Sequence, residues 1–191
     1  GPLTVDSVTL RTNEAAEGAG LYASEAVGTV DTFVVVDNVA SDRGGGLFVR
    51  DTALHGVGFE VARNDAPIGA GVYGSSTGSS SLGGVRIAEN AAHDTGGGVL
   101  TLGGLTLVDA EVSDNTAQRG AGVYAEGAGT LVDLSGLVDG NAGVTFGGGL
   151  YANVGAHVDF TGDIVGNQAE RGAGVYVNQA ASVAFVATSI R

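Results

Sequence analysis

The chain contains no cysteine, methionine, tryptophan or lysine, only two prolines and no long apolar run. Each absence removes a class of protein. Without cysteine there is neither a disulfide framework nor a thiolate metal site. The longest unbroken stretch of bulky apolar residues, Phe33 to Val36, falls far short of the roughly 18 needed for a membrane-spanning helix. All eight basic residues are Arg, set against 21 acidic ones, for a formal charge of −13. That balance argues against nucleic-acid binding, which needs a positive surface to displace counterions, and against docking on anionic membranes or holding substrate in a basic cleft. Glycine is abundant, at 35 of 191 residues, yet the scarcity of proline and the lack of a G-X-Y period exclude collagen. A hydrophobic content of 43% is too high for a disordered linker. Something ordered must use the glycines.

What is present is a repeat. An aliphatic residue three before an Asn recurs at Leu10/Asn13, Val35/Asn38, Val61/Asn64, Ile87/Asn90, Val112/Asn115, Val138/Asn141 and Ile164/Asn167, at intervals of 25 or 26 residues. Five or six residues after each Asn stands Gly-Gly/Ala-Gly, then an aliphatic residue and usually an aromatic one: Gly18 to Tyr22, Gly44 to Phe48, Gly69 to Tyr73, Gly96 to Leu100, Gly120 to Tyr124, Gly147 to Tyr151 and Gly172 to Tyr176. Two motifs in fixed phase over seven units is the signature of a repeat architecture.

Within a unit the apolar residues alternate with period 2, as in Val158-Asp159-Phe160 and Leu150-Tyr151-Ala152, which is strand rather than helix. Three short strands fit in each unit: the stretch after the glycines, the V-D-[LF] stretch and the aliphatic residue leading to Asn, separated by Gly, Ser, Asn and Asp turn chemistry. The expected fold is therefore all-β, a parallel β-helix of about seven coils of 25–26 residues with three strands per coil. Right-handedness follows by analogy with the β-helices of polysaccharide lyases. The L-x-x-L-x-L skeleton of leucine-rich repeats is absent. Stacked at roughly 4.8 Å, seven coils make a rod about 34 Å long. The Asn column is expected to stack its amides along that rod, each donating to the next. The third glycine of each motif (Gly20, Gly46, Gly71, Gly98, Gly122, Gly149 and Gly174) never varies, so it marks either a corner with positive φ or a close backbone approach. No helix follows these glycines, which removes the dipole that a phosphate-cradling loop uses.

Gly1-Pro2 reads as the scar of a cleaved tag, leaving residues 3–191 as a single repeat domain. The chain enters a coil at Leu3 and stops at Ile190-Arg191 without polar caps, so it is expected to be a segment of a longer array whose coils continue at both ends.

The pairing of an FxxN-like element with a GGA[ILV]-like element resembles the repeats of polymorphic outer-membrane proteins across all seven units, with Leu, Val or Ile in place of the Phe. That resemblance implies a secreted or surface-displayed stalk or adhesin segment, located outside the cell at a bacterial outer membrane, with a cell-surface partner.

The chemistry-bearing residues are few. Polysaccharide lyases and hydrolases on β-helices need clustered carboxylates with a basic partner, whereas His55, His93 and His157 occupy different positions of different coils. Asp37, Arg63 and Glu89 each precede an Asn and form an alternating surface column; Arg119 and Arg171, before their glycine motifs, read as solvated corners. Asp109, Asp133 and Asp159 each follow a Val of the second strand, as Asp6 and Asp31 do in the first coils. Stacked like charges repel unless splayed into water or bridged by a cation, so the column is either solvated or a weak Ca²⁺ site, although the nonapeptide of calcium-binding β-rolls is missing. No other cofactor is indicated. By strand parity Tyr22, Phe48, Tyr73, Tyr124, Tyr151 and Tyr176 point outward, interrupted by Leu100. They either stack to cover the glycines or offer a face to a glycan or partner chain. A flat Thr array for ice binding is absent, since Thr4, Thr29 and Thr130 are irregular. These features together indicate a non-enzymatic stalk or adhesive surface, the alternative being a carbohydrate-active β-helix whose catalytic part lies outside this segment.

Overall fold

The computed structural model describes residues 2–75 and 79–191. The described residues contain strands and no helix, arranged as a solenoid of about seven turns with three parallel sheets along its length. Each strand pairs with its counterpart one coil along, as in Glu60↔Arg86 and Tyr124↔Tyr151. The two stretches expected as separate strands before each Asn share one sheet. In the first four coils a corner divides them, as between Val27–Asp31 and Val34–Val36. From Leu105–Ser113 onward they run as single nine-residue strands. The strand that sequence patterning did not single out follows the Asn directly and forms the second sheet, from Glu14–Glu17 to Ala142–Phe146. The third sheet is built on the residues after the glycines, from Leu21–Ser24 to Val175–Val177.

The interior has two parts. Branched and aromatic residues such as Val35, Leu47, Ile87, Val112, Leu134 and Phe160 fill the space between the first and third sheets. Against the second sheet the core narrows to alanines, with Ala40, Ala66, Ala92 and Ala117 packed on Ala19, Ala70 and Ala121 of the glycine motifs. Only small side chains fit in this narrow corner.

The Asn column holds the coils together. Each Asn Nδ2 donates to the Oδ1 of the next at 2.9–3.0 Å, from Asn13 through Asn38, Asn64, Asn90, Asn115 and Asn141 to Asn167. The same Oδ1 accepts the backbone N–H of the preceding Asn at 3.0–3.1 Å. The Nδ2 also donates to the aliphatic carbonyl one coil back: Asn38 to Leu10 at 3.1 Å, Asn90 to Val61 at 3.0 Å, Asn115 to Ile87 and Asn141 to Val112 at 2.9 Å. A polar residue at a turn ordinarily faces water. These do not: Asn38, Asn90, Asn115 and Asn141 are 0% exposed and Asn64 is 1% exposed. They tolerate complete burial because each has two donors and one doubly used acceptor satisfied. The residue before each Asn turns the chain through left-handed φ: 54–58° at Thr12, Asp37, Arg63, Glu89 and Asp114, and 62–63° at Gly140 and Gly166. At a non-glycine residue that conformation costs roughly 1–2 kcal/mol, offset here by the amide that closes the turn.

The invariant third glycine is a site of close approach, the second of its two expected roles. A Cβ at Gly20, Gly46, Gly71, Gly98, Gly122 or Gly149 would lie 2.4–2.7 Å from the carbonyl oxygen of the third glycine one coil on, and 2.9–3.2 Å from that coil's Asn Nδ2. The glycine makes room for the ladder. Positive φ belongs instead to the first glycine, between 57° and 66° from Gly18 to Gly172.

The coils also alternate. Those with Gly-Ala-Gly have a four-residue second-sheet strand, such as Asp65–Ile68 and Thr116–Arg119, and those with Gly-Gly-Gly a five-residue one, such as Val39–Arg43 and Ala91–Thr95. The extra residue makes a bulge, and the register shifts at every described pairing in this sheet. A Cβ at the middle Gly45, Gly97 or Gly148 would sit 2.3–2.5 Å from a carbonyl oxygen of the following alanine coil. The structural unit is therefore a pair of coils.

Two outcomes follow. Asn90→Ala strands the backbone N–H of Asn64 and one of its two amide hydrogens in the interior, so it should cost about 3 kcal/mol or more, whereas Asn13→Ala at the exposed first coil should cost under about 1 kcal/mol; urea midpoints in the reverse order would contradict the ladder. Gly97→Ala merely copies the residue that neighbouring coils carry, yet it should destabilise by about 1–3 kcal/mol through overpacking. Thermal denaturation checks this, and an unchanged midpoint would remove the case for paired coils.

Candidate functional site

The residues singled out by the repeat divide by burial into those that build the coil and those that a ligand can reach. Asn38, Asn64, Asn90, Asn115 and Asn141 belong to the first group: their amides are fully engaged inside the solenoid and present no polar atom to solvent. They are structural and form no part of a binding face. Asn13, in the first coil, is exposed.

The outward aromatic column of the third sheet is the most distinctive surface element, and the structure corrects its expected exposure. Phe48, Tyr73, Tyr124 and Tyr151 point away from the core but are only 2–7% exposed; Tyr22 at the first coil is 43% exposed. Two neighbours enclose the rings. The left-handed first glycine folds the chain so closely that a Cβ at Gly44, Gly69, Gly96, Gly120, Gly147 or Gly172 would come within 2.6–2.9 Å of the Cβ four residues on. A second column, at the last position of the second-sheet strands, flanks the rings. It runs through Glu17, Arg43, Ile68, Thr95, Arg119, Phe146 and Arg171 in register. Arg43 lies over the Tyr73 ring at 5.6 Å and Arg171 over Phe146 at 5.7 Å. Arg119 donates to Asp94 at 2.7 Å, and that bond holds its pKa above the ordinary arginine value. Arg119 and Arg171, expected as solvated corners, thus make specific contacts.

The rings form two stacks. Tyr22, Phe48 and Tyr73 lie nearly parallel, with centroids 4.8 and 5.0 Å apart. Tyr124, Tyr151 and Tyr176 meet edge to face at 4.9 and 5.0 Å, with Phe146 tilted against Tyr176 at 4.8 Å. Leu100 separates the two stacks, paired in register with Tyr73 on one side and Tyr124 on the other. An open cavity of about 380 Å³ lies here, lined by Arg43, Ile68, Tyr73, Thr95, Leu100, Leu102, Arg119, Tyr124 and Glu126. At one wall the Tyr124 hydroxyl donates to Glu126, while Asn153 Nδ2 donates to both at 3.1 and 3.2 Å. Burial, reinforced by the Glu126 bond, pushes the Tyr124 hydroxyl pKa well above its ordinary value.

The expected aspartate column forms only as two separate pairs, Asp6 with Asp31 and Asp133 with Asp159. Asp133 and Asp159 are register neighbours, but the residue opposite Asp133 in the preceding coil is Thr106. Asp109 falls at a bulge beyond it, with φ of 50° and its N–H donating to Ser135 Oγ. Period-2 counting cannot detect that extra residue. The true outward column is Thr4, Thr29, His55, Ser81, Thr106, Asp133 and Asp159. His157 contacts Asp159 at 3.2 Å and Ser182 at 2.6 Å; His93 contacts Asp65 at 3.3 Å. Among the described residues no three His, Cys, Asp or Glu side chains gather in a group suited to a metal ion. Arg63 pairs with Asp37 at 2.8 Å, while Glu89 is bound by Arg86, which also reaches Glu60 and Glu111 in adjoining coils at 3.3–3.4 Å. These pairs are about half exposed, and each contributes a few tenths of a kcal/mol.

No family model matches the chain, and neither a curated protein nor a solved structure matches it.

The Tyr124 environment has a pH consequence. A phenol in the unfolded chain ionises near pH 10, while the folded one holds its proton, so this contribution to stability is complete below about pH 10 and declines as pH rises beyond it. Tyr124→Phe should cost about 1–2 kcal/mol at pH 7 by removing the hydroxyl that bonds both Glu126 and Asn153, which keep only each other, and should flatten the alkaline decline. Denaturant midpoints between pH 7 and 11 test this; parallel curves for both proteins would contradict it.

Proposed function

We propose that this chain is a non-enzymatic, surface-displayed β-helix segment, a rigid spacer that also presents a recognition face outside a bacterial cell. The observation that carries this reading is the continuous ladder from Asn13 to Asn167, with the same two bonds repeated at every link. Such repetition suits an element that transmits load along its axis, because every Asn link carries the same pair of bonds. The surface is consistent with life in solution outside the cell: strongly acidic, laced with ion pairs between coils, and with most of its aromatic rings enclosed. The two-element repeat, resembling that of bacterial surface adhesins, supports the same location.

The reading makes a direct demand on localisation. Antibodies raised against the folded protein should stain intact source cells as strongly as permeabilised ones. Staining that appears only after permeabilisation would overturn the surface assignment.

A further inference from the structure

The geometry points to the depression over Leu100 as a binding site for a neutral glycosyl unit, an inference that rests on the surface-display reading and names what the recognition face takes. Two independent columns dip in the same coil. In the ring column Leu100 replaces an aromatic residue, and in the flanking column Thr95 stands between Ile68 and Arg119. Either change alone would leave a shallow dent; together they open about 380 Å³ between Tyr73 and Tyr124. That is roughly a dozen waters at about 30 Å³ each, room for one or two pyranose rings and within the usual range for small-ligand sites.

The lining suits a sugar in chemistry as well as size. Half-exposed Leu102 and partly exposed Ile68 supply most of the apolar surface for pyranose C–H groups, beside the narrow accessible edges of Leu100, Tyr73 and Tyr124. Directional polar groups surround it. Arg119 uses only Nη2 on Asp94, so its Nε and Nη1 have no hydrogen-bond partner among the described residues. The Glu126 carboxylate, whose Oε2 is taken by Tyr124 and Asn153, adds an acceptor at Oε1, and nearly buried Thr95 lines the floor. Each guanidinium already has its counter-charge, Arg43 on Glu17 and Asp42 and Arg119 on Asp94. The notch therefore offers hydrogen bonds without uncompensated positive charge. On a chain of net charge −13, that combination favours a neutral, hydroxyl-rich ligand over an anionic one.

The test uses Leu100→Tyr, which fills the notch with the residue that most other coils carry and should leave the thermal midpoint within a few degrees or raise it. Glucose, galactose, N-acetylglucosamine and their short oligomers, with uronate oligomers beside them, are titrated into the ¹⁵N-labelled protein and into the Leu100→Tyr and Arg119→Gln variants. Neutral sugars should shift the amide signals of Thr95, Leu100 and Leu102 with millimolar affinity. Leu100→Tyr should weaken this at least about tenfold, Arg119→Gln by less, and uronates should bind more weakly. Equal binding to folded Leu100→Tyr, or preference for uronates, would overturn the proposal. Absence of any sugar binding, while the protein adheres to cells in a Leu100→Tyr-sensitive way, would overturn the sugar class in favour of a protein partner and leave surface display standing. Unstained intact cells would instead remove the surface reading, whatever the titrations show.

Discussion

A side-chain amide buried at one corner of every interior coil is the constraint on which the rest of this molecule depends. Parallel stacking brings the Asn side chains to hydrogen-bond distance of one another, and burial makes any unpaired amide costly. The chain answers with a residue in left-handed φ before each Asn and a glycine beside it. The left-handed residue aims the amide inward, and the absent Cβ lets the adjoining backbone close over it. Replacing either neighbour without the other would expose or crowd the ladder, so the three positions act as one unit.

From that corner the remaining geometry propagates. The second sheet leaves the Asn with no slack, so its inner face takes only alanine or, at Gly143, glycine, and an extra residue in alternate coils is taken up as a bulge. The bulge shifts the backbone relative to the next glycine motif, which is why the middle residue alternates between Ala and Gly in step with it. The first glycine then lays the chain over the aromatic side chains of the third sheet. Rings that point away from the core thereby become buried, and the face they would have formed becomes a second, external apolar seam. Its one interruption, at Leu100, is the feature to which recognition is assigned.

Much of this was legible in the residues. The Asn column, the invariant third glycine and the period-2 strands are direct consequences of coil-to-coil contact, so they recur in the sequence at the spacing of the coil. The depth of the column was less legible: nothing in residue type says that Asn38, Asn115 and Asn141 lose all contact with water while Asn13 keeps it, because that depends on a further coil stacking on either side. Also hidden was anything that breaks the count. The bulge at Val108-Asp109 moved Asp109 out of line with Asp133, although both follow a valine. The strand after Asn escaped notice because its inward residues are alanines, whose weak hydrophobic signal resembles that of a turn. Asp37, Arg63 and Glu89 were readable as a charge column, but their left-handed backbone leaves no trace in residue type, since the amide that stabilises it belongs to the next residue.

The sequence by itself determined that this is an acidic, all-β solenoid with an amide ladder, because those properties depend on residue type repeated at a fixed interval. Only the tertiary structure decided which outward residues meet water. Exposure of Tyr73 or Phe48 depends on where the preceding glycine turn and Arg43 or its counterparts come to rest, and on register shifts between coils. The same is true of the notch: Thr95 and Leu100 are five residues apart in one coil, and they become one depression only when the walls on either side are supplied by Tyr73 and Arg43 from the coils before and by Tyr124 and Arg119 from the coil after.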